Sequence, residues 1–356
     1  MINRLRTWRA FTLVEMLVSI SIIALLTALL LPAVQSTREA ARRIKCSSNF
    51  ASVGIAVQNY VSIYTHFPPS SINWRDGSTT CNPCVNVRYS MLARILPYLE
   101  QKSLYDSINF DVSIAEPRDP GSSDHYPEEL ANLTARVVSL GVFLCPSDTT
   151  SQSRLSSGTN IRANMGSMPT TFALENAPYA GPSTVIHVSM DNQFRARHSS
   201  SLVSISDGLS NTALASEKLR GSDDSSIFDP RRHYANLIYV NKQYPVSSEK
   251  YSIACLAPDA QFMGFESKSG LTWLLGSPTS TLYNHVSGIN MIHGDCISHE
   301  SGATIVISSA RSQHPGGVNV GLADGSVRFV RNGVALQVWR ALGSKAGGEP
   351  LSNDEY

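Results

Sequence analysis

Apolar residues fill positions 11–31 almost without interruption, and polar residues dominate on both sides of that run. The run has 21 residues, close to the ~20 that a helix needs to cross a bilayer. Arg4, Arg6 and Arg9 precede it, and such basic flanks stay on the cytoplasmic side of a membrane. The pattern predicts one transmembrane helix at residues 11–31, with the bulk of the chain outside the cytoplasm.

A secretory signal peptide and a buried core helix are the alternatives for this run. A signal peptide has an apolar stretch of about 7–15 residues before a small-residue cleavage site, whereas this run is longer and is followed by Pro32 and a polar helical stretch. A buried core helix gives no role to the basic leader or to Glu15. The membrane anchor accounts for all of these features.

Glu15 is the one charged residue inside the run. A carboxylate in such a span costs about 2.5–3.5 kcal/mol on insertion scales, so it requires a partner. The span contains no basic residue, which suggests that the partner belongs to another chain.

Helical periodicity continues beyond the membrane segment. Apolar residues recur at three- and four-residue steps over residues 34–60, with charged residues such as Glu39 on the outer faces, and the pattern ends at the F-P-P run of residues 67–69. Pro32 removes one backbone hydrogen bond and should kink the helix. We predict a helix over residues 11–64 that packs its outer half on a globular domain. A coiled coil is the alternative for that half, although the spacing is not a clean heptad.

From residue 67 onward, Gly, Pro, Ser, Asn and Asp recur at short intervals, which favours strands joined by long loops. We therefore predict an α+β chain with a β-rich domain over residues 65–340 and a C-terminal tail over residues 341–356. Strands are expected at residues 141–146 and 213–217, a strand or a turn at residues 185–188, and an irregular insertion loop at residues 221–250.

The strongest hairpin signal covers residues 314–330. Alternating residues on both sides of Asp324 and Gly325 predict two strands joined by a two-residue turn, whose central residues need positive φ. Nine residues separate His314 from Asp324. We interpret His314 as the start of a turn and Asp324 as a turn residue, rather than as catalytic or metal-binding groups.

The run F-T-L-V-E at residues 11–15, behind a short basic leader, resembles the N-terminus of type IV prepilins. A prepilin peptidase cuts such chains before the Phe and methylates the new amine. The resemblance therefore implies cleavage between Ala10 and Phe11 and N-methylation of Phe11. It also implies that Glu15 neutralises the Phe11 amine of a neighbouring subunit in an assembled filament. Ala10 stands where that family usually has Gly.

Later motifs resemble a large group of prepilin-type proteins, the DUF1559 family with a C-terminal H-X9-DG domain, abundant in planctomycetes. The motifs are R-R at 42–43 with Cys46 and Asn49, F-P-P at 67–69, C-P-S-D at 145–148, S-D-G-L-S-N-T at 206–212 with Glu217, and His314 with Asp324 and Gly325. The resemblance implies a pilin-like fold, with the long helix packed on the domain, and a place in type II secretion or type IV pilus-like machinery. It implies no biochemical activity.

Composition and motifs narrow the function further. The net charge is +1 with 16% charged residues, which gives no reason to expect nucleic-acid binding. The sequence has no nucleophile elbow, P-loop or HExxH helix, and we predict that the protein is not an enzyme.

Six cysteines in an extracytoplasmic domain favour disulfides. The pairings that we expect are Cys46 with Cys145, which would clamp the helix to the first buried strand, Cys255 with Cys296, and Cys81 with Cys84.

We assign no metal or cofactor. The H-G-D-C run at 293–296 with His299 and Glu300 has metal-ligand residue types, but Cys296 is expected to be paired. Calcium bound by loop carboxylates is the alternative, with Asp148, Asp191 and Asp207 as candidates, although no loop shows the Asp-x-Asp-x-Asp-Gly spacing.

We therefore expect a single-pass pseudopilin-like structural or assembly protein in the cytoplasmic (inner) membrane. Its expected partners are the prepilin peptidase, other pseudopilin subunits, a secretion or pilus assembly platform, and membrane lipid. The alternative is a membrane-anchored extracytoplasmic module that binds carbohydrate or peptide and does not polymerise.

Overall fold

The protein consists of one long N-terminal helix and a β-rich domain of two mixed sheets, with a further pair of strands. The computed structural model describes residues 12–75, 89–112, 114, 132–150, 156–168, 179–182, 185–189, 200–238, 261–300 and 303–351. The predicted α+β class is confirmed.

The first helix, α1, covers Leu13–Tyr64 and passes through Pro32 without interruption. An 18-residue window within it has a mean hydropathy of 2.6, and none of that window is buried. The helix ends at Thr65, which takes a left-handed conformation with φ of 63°. The predicted continuous helix is confirmed, while a kink at Pro32 stays a prediction.

The other helices are short, and the strands are joined by long loops. The helices are α2 Met91–Arg94, α3 Lys102–Asp106, α4 Leu133–Arg136 and α5 Leu336–Gly343. The strands are β1 Ser71–Arg75, β2 Ile161–Asn164, β3 Val185–Ser189, β4 Ala213–Glu217, β5 Tyr234–Ile238, β6 Gln261–Glu266, β7 Leu282–Tyr283, β8 Asp295–Glu300, β9 Ala303–Ile307, β10 Gly317–Leu322 and β11 Val327–Arg331. The strand predicted at residues 213–217 is confirmed by β4, and residues 185–188, predicted as a strand or a turn, belong to β3.

The larger sheet has the strand order β11-β10-β4-β2-β7, and its neighbours are antiparallel except for β2 and β7. The second sheet has the order β6-β5-β8-β9, in which β5 and β8 are parallel. Strands β1 and β3 form a separate parallel pair.

Both faces of β10 are buried, which places this strand in the middle of the domain. Val318 and Val320 pack with Trp339 of α5. Alternate residues of a strand point to opposite faces, so Gly321 points the other way, and a Cβ on it would lie 3.3 Å from the ring of Phe50 in α1. Helices α1 and α5 therefore cover opposite faces of the five-stranded sheet.

Three buried charges join the two sheets. Lys218, just after β4, and Arg311, just before β10, both pair with Asp295 at the start of β8, and all three side chains are at most 1% exposed. Burial alone would raise the pKa of Asp295, but the two cations keep it below its ordinary value. Burial lowers the pKa of Lys218 to about 8.

The segment at residues 141–146, which we predicted to be a strand, instead begins with the single 3-10 turn Gly141–Phe143. The side chain of Asn49 donates hydrogen bonds to the carbonyls of Gly141 (3.0 Å) and Leu144 (2.8 Å). These hydrogen bonds occupy backbone carbonyls that a strand would use to pair with a neighbouring strand.

Two further predictions are wrong. The insertion loop at residues 221–250 contains β5, whose Tyr234 is fully buried and donates its hydroxyl to the carbonyl of Pro278 at 2.8 Å. The domain boundary at residue 340 falls inside α5, where Trp339 and Leu342 are fully buried. The segment that we assigned to a tail therefore begins as part of the core.

We predict that Asp295→Asn lowers the free energy of unfolding by roughly 3–5 kcal/mol, because it leaves Lys218 and Arg311 buried without a counter-charge. Chemical denaturation of the full chain in detergent measures this loss. The matched control is Asp106→Asn, which breaks an ion pair whose side chains are 74% and 54% exposed and should cost less than about 1 kcal/mol. Similar losses in the two variants would contradict the role of the buried charges.

Candidate functional site

His314 of the H-X9-DG motif lies where α1, β4 and the segment before β10 meet. Its side chain is completely buried, with Nδ1 at 2.6 Å from Oε1 of Glu39 and Nε2 at 3.3 Å from Oε1 of Glu217. The imidazole thus bridges a carboxylate on the helix and a carboxylate at the end of β4. A turn follows His314, as predicted, and its side chain also joins two carboxylates, a contact that the sequence did not indicate.

Each of the two carboxylates has additional donors. Glu39 accepts hydrogen bonds from Nε of Arg42 at 2.8 Å and from the hydroxyl of Ser147 at 3.0 Å. Glu217 accepts two hydrogen bonds from Asn319 in β10, one from the side-chain amide at 2.7 Å and one from the backbone N–H at 3.2 Å. These donors orient both carboxylates towards the histidine.

A disulfide between Cys46 of α1 and Cys145 borders the same histidine, and Sγ of Cys145 lies 3.4 Å from Nε2 of His314. This is the pairing expected from the sequence. Its Cα atoms are 5.1 Å apart, and it closes a loop across a sequence separation of 99, for which the chain-entropy argument gives about 4–5 kcal/mol of stabilisation. We refer to Glu39, Glu217, His314 and this disulfide as the His314 junction.

The electrostatics of the His314 junction favour the charged imidazole. Burial lowers the pKa of His314, but hydrogen bonds and charge interactions with Glu217 and Glu39 outweigh it and raise the pKa above its ordinary value. Burial raises the pKa of Glu39, but its hydrogen bonds with His314, Arg42 and Ser147 bring it below its ordinary value. The junction is therefore an ion-paired arrangement with one cation between two anions.

The second half of the motif also contacts α1. Gly325 packs against Gly54, where an added Cβ would lie 2.7 Å from the Gly325 carbonyl oxygen, and Gln58 donates to the carbonyl of Ala323. The turn differs from the predicted two-residue turn, because the loop has three residues, 323–325, and positive φ falls on Gly325 at 89° and not on Asp324. A type I turn followed by a left-handed glycine gives this geometry.

Asp324 behaves as a turn residue. Its carboxylate accepts hydrogen bonds from the N–H (2.9 Å) and the hydroxyl (2.6 Å) of Ser326, which are local turn contacts.

The spacing of the H-X9-DG motif matches the helix that it contacts. Glu39 meets His314 and Gly54 meets Gly325, and fifteen residues of helix from Glu39 to Gly54 span about 22 Å. The six residues of β10 cover about 20 Å of the same path. The motif therefore contacts α1 at two points, one at each end of β10.

At the N-terminal end, Glu15 forms a capping box with Thr12. Its carboxylate accepts hydrogen bonds from the backbone N–H (3.0 Å) and the hydroxyl (2.9 Å) of Thr12, and its own N–H donates to that hydroxyl at 3.3 Å. Within one chain the carboxylate thus has local partners. Ala10 and Phe11 lie outside the described residues, so the inferred processing site stays a prediction.

Two of the three calcium candidates, Asp148 and Asp207, are engaged with protein donors. Asp148 pairs with Arg232 at 2.8 Å and accepts from the side-chain amide of Asn160 at 2.7 Å. Asp207 accepts from the backbone N–H groups of Gly347 (2.8 Å) and Gly348 (2.9 Å) near the C-terminus. Both carboxylates have structural partners in the described part of the chain. The third candidate, Asp191, lies outside it.

The run at residues 293–296 does not assemble a metal site among the residues that the structure describes. Asp295 forms ion pairs with the buried Lys218 and Arg311, and Cys296 is disulfide-bonded. Its expected partner Cys255 lies outside the described residues, as do Cys81 and Cys84, so these pairings stay predictions.

Sequence reasoning missed Glu39, which we had placed on an outer face of the helix, and it gave no role to Asn319. The available signal was the spacing of Glu39, Arg42, Cys46 and Asn49, because steps of three and four residues put these polar side chains on one face of α1. That stripe faces the domain and supplies most of the helix side of the His314 junction.

Comparisons with known proteins give two matches. Residues 35–337 match the family described as a protein of unknown function (DUF1559), a range that includes every residue of the His314 junction and the H-X9-DG motif. Residues 9–31 match the prokaryotic N-terminal methylation motif. No curated protein and no solved structure matches the chain. The two resemblances inferred from the sequence are confirmed.

We predict that the His314 junction makes stability depend on pH. Since the pKa of folded His314 is raised above 6.5, its contribution is complete below about pH 6.5 and is lost as the pH rises through the folded pKa. Since the pKa of folded Glu39 is lowered below 4.5, its contribution is present above about pH 4.5 and is lost as the pH falls through the folded pKa. Denaturation midpoints measured across pH should therefore show the greatest stabilisation by the His314 junction between about pH 4.5 and about pH 6.5.

His314→Gln should cost roughly 3–5 kcal/mol at pH 6, because it leaves the buried Glu217 facing Glu39 without its cationic partner. It should also remove the loss of stability at alkaline pH. The control is His293→Gln, because His293 is exposed and should leave both the midpoint and its pH profile unchanged. A wild-type alkaline slope that persists in His314→Gln would contradict the assignment.

We predict that Gly54→Ala lowers stability by about 1–3 kcal/mol, although alanine is the better helix former, because its methyl group would overlap the backbone of Gly325. Thermal unfolding in detergent measures the change. Gly333→Ala is the matched control, since a Cβ there meets nothing within 4 Å. A neutral or stabilising Gly54→Ala would show that the glycine contact does not hold the hairpin.

Proposed function

Since the chain belongs to the DUF1559 family and has the prokaryotic N-terminal methylation motif, we propose that it is a membrane-anchored pseudopilin-like structural or assembly protein of a type II secretion or type IV pilus-like system. The observation on which this rests is the motif at residues 9–31, which leads into a helix that continues unbroken to the domain. The motif indicates a prepilin-like protein, and the specific system is our proposal.

The motif implies processing by a prepilin peptidase, and the exposed apolar part of α1 fits a single-pass membrane anchor. We place the cut between Ala10 and Phe11, the leader on the cytoplasmic side and the β-rich domain on the other side of the cytoplasmic membrane. The basic residues that precede the apolar run support this orientation.

Glu15 would then exchange partners on assembly. Among the residues that the structure describes, its carboxylate accepts hydrogen bonds from the N–H and the hydroxyl of Thr12, both of which are neutral donors. The amine of Phe11 on a neighbouring subunit would offer a positive charge, and charge-assisted hydrogen bonds are about twice as strong as neutral ones. The capping box leaves the carboxylate at the helix N-terminus, where an incoming amine could reach it.

The outer half of α1 offers a surface for such assembly. Ile44 and Ile55 are 70% and 60% exposed, although both lie in the part of the helix that packs on the domain. They are eleven residues apart, which is three helical turns, so they share one face. Exposed apolar side chains on this part of the helix favour packing of α1 against helices of other subunits.

One observation favours the binding module as a second candidate. An open groove of about 390 Å³ lies between α1 and the segments at residues 98–101 and 140–142. This volume is within the range of small-molecule sites, roughly 300–1,000 Å³. Its lining includes Ile55, Tyr98 and Gln101, a mixture of apolar and polar groups that suits a carbohydrate or a peptide.

We expect Glu15→Gln to reach the membrane and to be processed, but to be recovered in filaments or secretion complexes at less than about one tenth of the wild-type level, because losing one charge of a buried pair costs roughly 3–5 kcal/mol. Quantitative blotting of membrane and assembled fractions measures this. Ser21→Ala is the control, because it removes a polar group from the same span without touching Glu15.

Mass spectrometry of the mature N-terminus accompanies this test. N-methylated Phe11 is the expected result, and any other terminus would contradict the prepilin assignment. If Glu15→Gln assembles like the wild type and the protein binds a carbohydrate or peptide in the groove, the binding module is the better description.

A further inference from the structure

Four potential metal ligands converge in the His314 junction. Cys46, Cys145, Glu217 and His314 are all buried, and one ligand atom from each lies within 4.8 Å of every other. Sulfur, imidazole nitrogen and carboxylate oxygen are the donors that Zn²⁺ takes in tetrahedral sites. We propose that these four side chains bind one Zn²⁺ ion when the Cys46–Cys145 disulfide is reduced.

The surroundings of His314 are those of a zinc-bound histidine. A metal-bound histidine almost always donates its second ring N–H to a carboxylate, a backbone carbonyl or a water. Here Nδ1 lies 2.6 Å from Glu39, so Nε2, which faces Glu217 and Cys145, is the nitrogen left for the metal. Glu39 in turn is held by Arg42 and Ser147.

The remaining ligands are also held in place without the disulfide. Asn319 fixes the orientation of Glu217 through its side-chain amide at 2.7 Å. The segment that bears Cys145 stays attached to α1, because Asn49 donates to the carbonyl of Leu144 at 2.8 Å, and Cys145 N donates to Oδ1 of Asn160 at 3.0 Å. Opening the disulfide therefore leaves both sulfurs near the histidine.

The movement needed for metal binding is small. With Zn–S bonds of about 2.3 Å, two sulfurs of a tetrahedral site lie about 3.7 Å apart. The Cα atoms of Cys46 and Cys145 are 5.1 Å apart, so rotation about the two side-chain bonds can supply most of this separation. The side chain of Glu39, which contacts His314, is 22% exposed, so solvent lies next to the junction.

The chemistry balances with a dithiol as the reductant. Thiol–disulfide exchange converts the dithiol to a disulfide and the Cys46–Cys145 bond to two thiols. Zn²⁺ then replaces the two thiol protons and the proton on Nε2 of His314, and three protons leave to solvent. A chain whose thiols have not yet been oxidised needs no reductant. Zinc and the disulfide are then alternative links between α1 and the domain at the same place.

The test uses the full chain in detergent, reduced with a phosphine and titrated with Co²⁺, which reports tetrahedral thiolate ligation by its ligand-field and charge-transfer bands. Other thiols are removed by replacing Cys81, Cys84, Cys255 and Cys296 with Ser. We expect one Co²⁺ per chain in the reduced form, displaced by one Zn²⁺, and no band in the oxidised form. Adding Glu217→Gln or Cys145→Ser to that background should weaken binding by at least tenfold.

A second readout avoids multiple substitutions. In the reduced wild-type chain, Zn²⁺ should protect Cys46 and Cys145 from alkylation, as mapped by mass spectrometry, and later oxidation should release one Zn²⁺ per chain to a chromogenic chelator. Absence of a thiolate–Co²⁺ band in the reduced protein, a band insensitive to Glu217→Gln, or alkylation of both cysteines at an unchanged rate would each overturn the proposal.

Discussion

One buried imidazole connects parts of this molecule that are far apart in the sequence. His314 lies between Glu39, 275 residues earlier in the helix, and Glu217 at the end of β4. Glu217 is enclosed there with His314 as its cation, and Glu39 shares that cation while also pairing with Arg42, since an uncompensated buried charge is strongly destabilising. The charge of His314 therefore joins α1 to the five-stranded sheet, and the neighbouring disulfide reinforces the same contact.

The second half of the motif explains its length. A strand rises about twice as far per residue as a helix, so six residues of β10 lie alongside roughly four turns of α1. Gly325 then packs closely against Gly54, because neither residue has a side chain that would separate the two backbones. A shorter or longer interval between His314 and Gly325 would bring only one end of the strand into register with the helix.

The sequence was sufficient for features that depend on local pattern. Periodicity predicted α1, a buried run after a turn predicted β4, and alternation predicted the strands of the final hairpin. The pairing of Cys46 with Cys145 was a hypothesis that the structure bears out. The sequence was insufficient where side chains from distant parts of the sequence determine the local structure. Asn49 donates hydrogen bonds to backbone carbonyls of the segment that we predicted as a strand, and His314 pairs with carboxylates of two other elements. No local pattern around residue 314 encodes either carboxylate, so only the fold reveals the site.

The continuity of α1 has a mechanical consequence. The helix leaves the apolar segment and enters the domain without a break, and its attachments to the domain at Glu39, Cys46 and Gly54 follow one another along the helix axis. A pull along the helix axis would act on these attachments in shear, together, and not one after another as in peeling. Tension on the anchor is thereby passed to the segments at both ends of β10, so the whole domain would move with the helix as one rigid body.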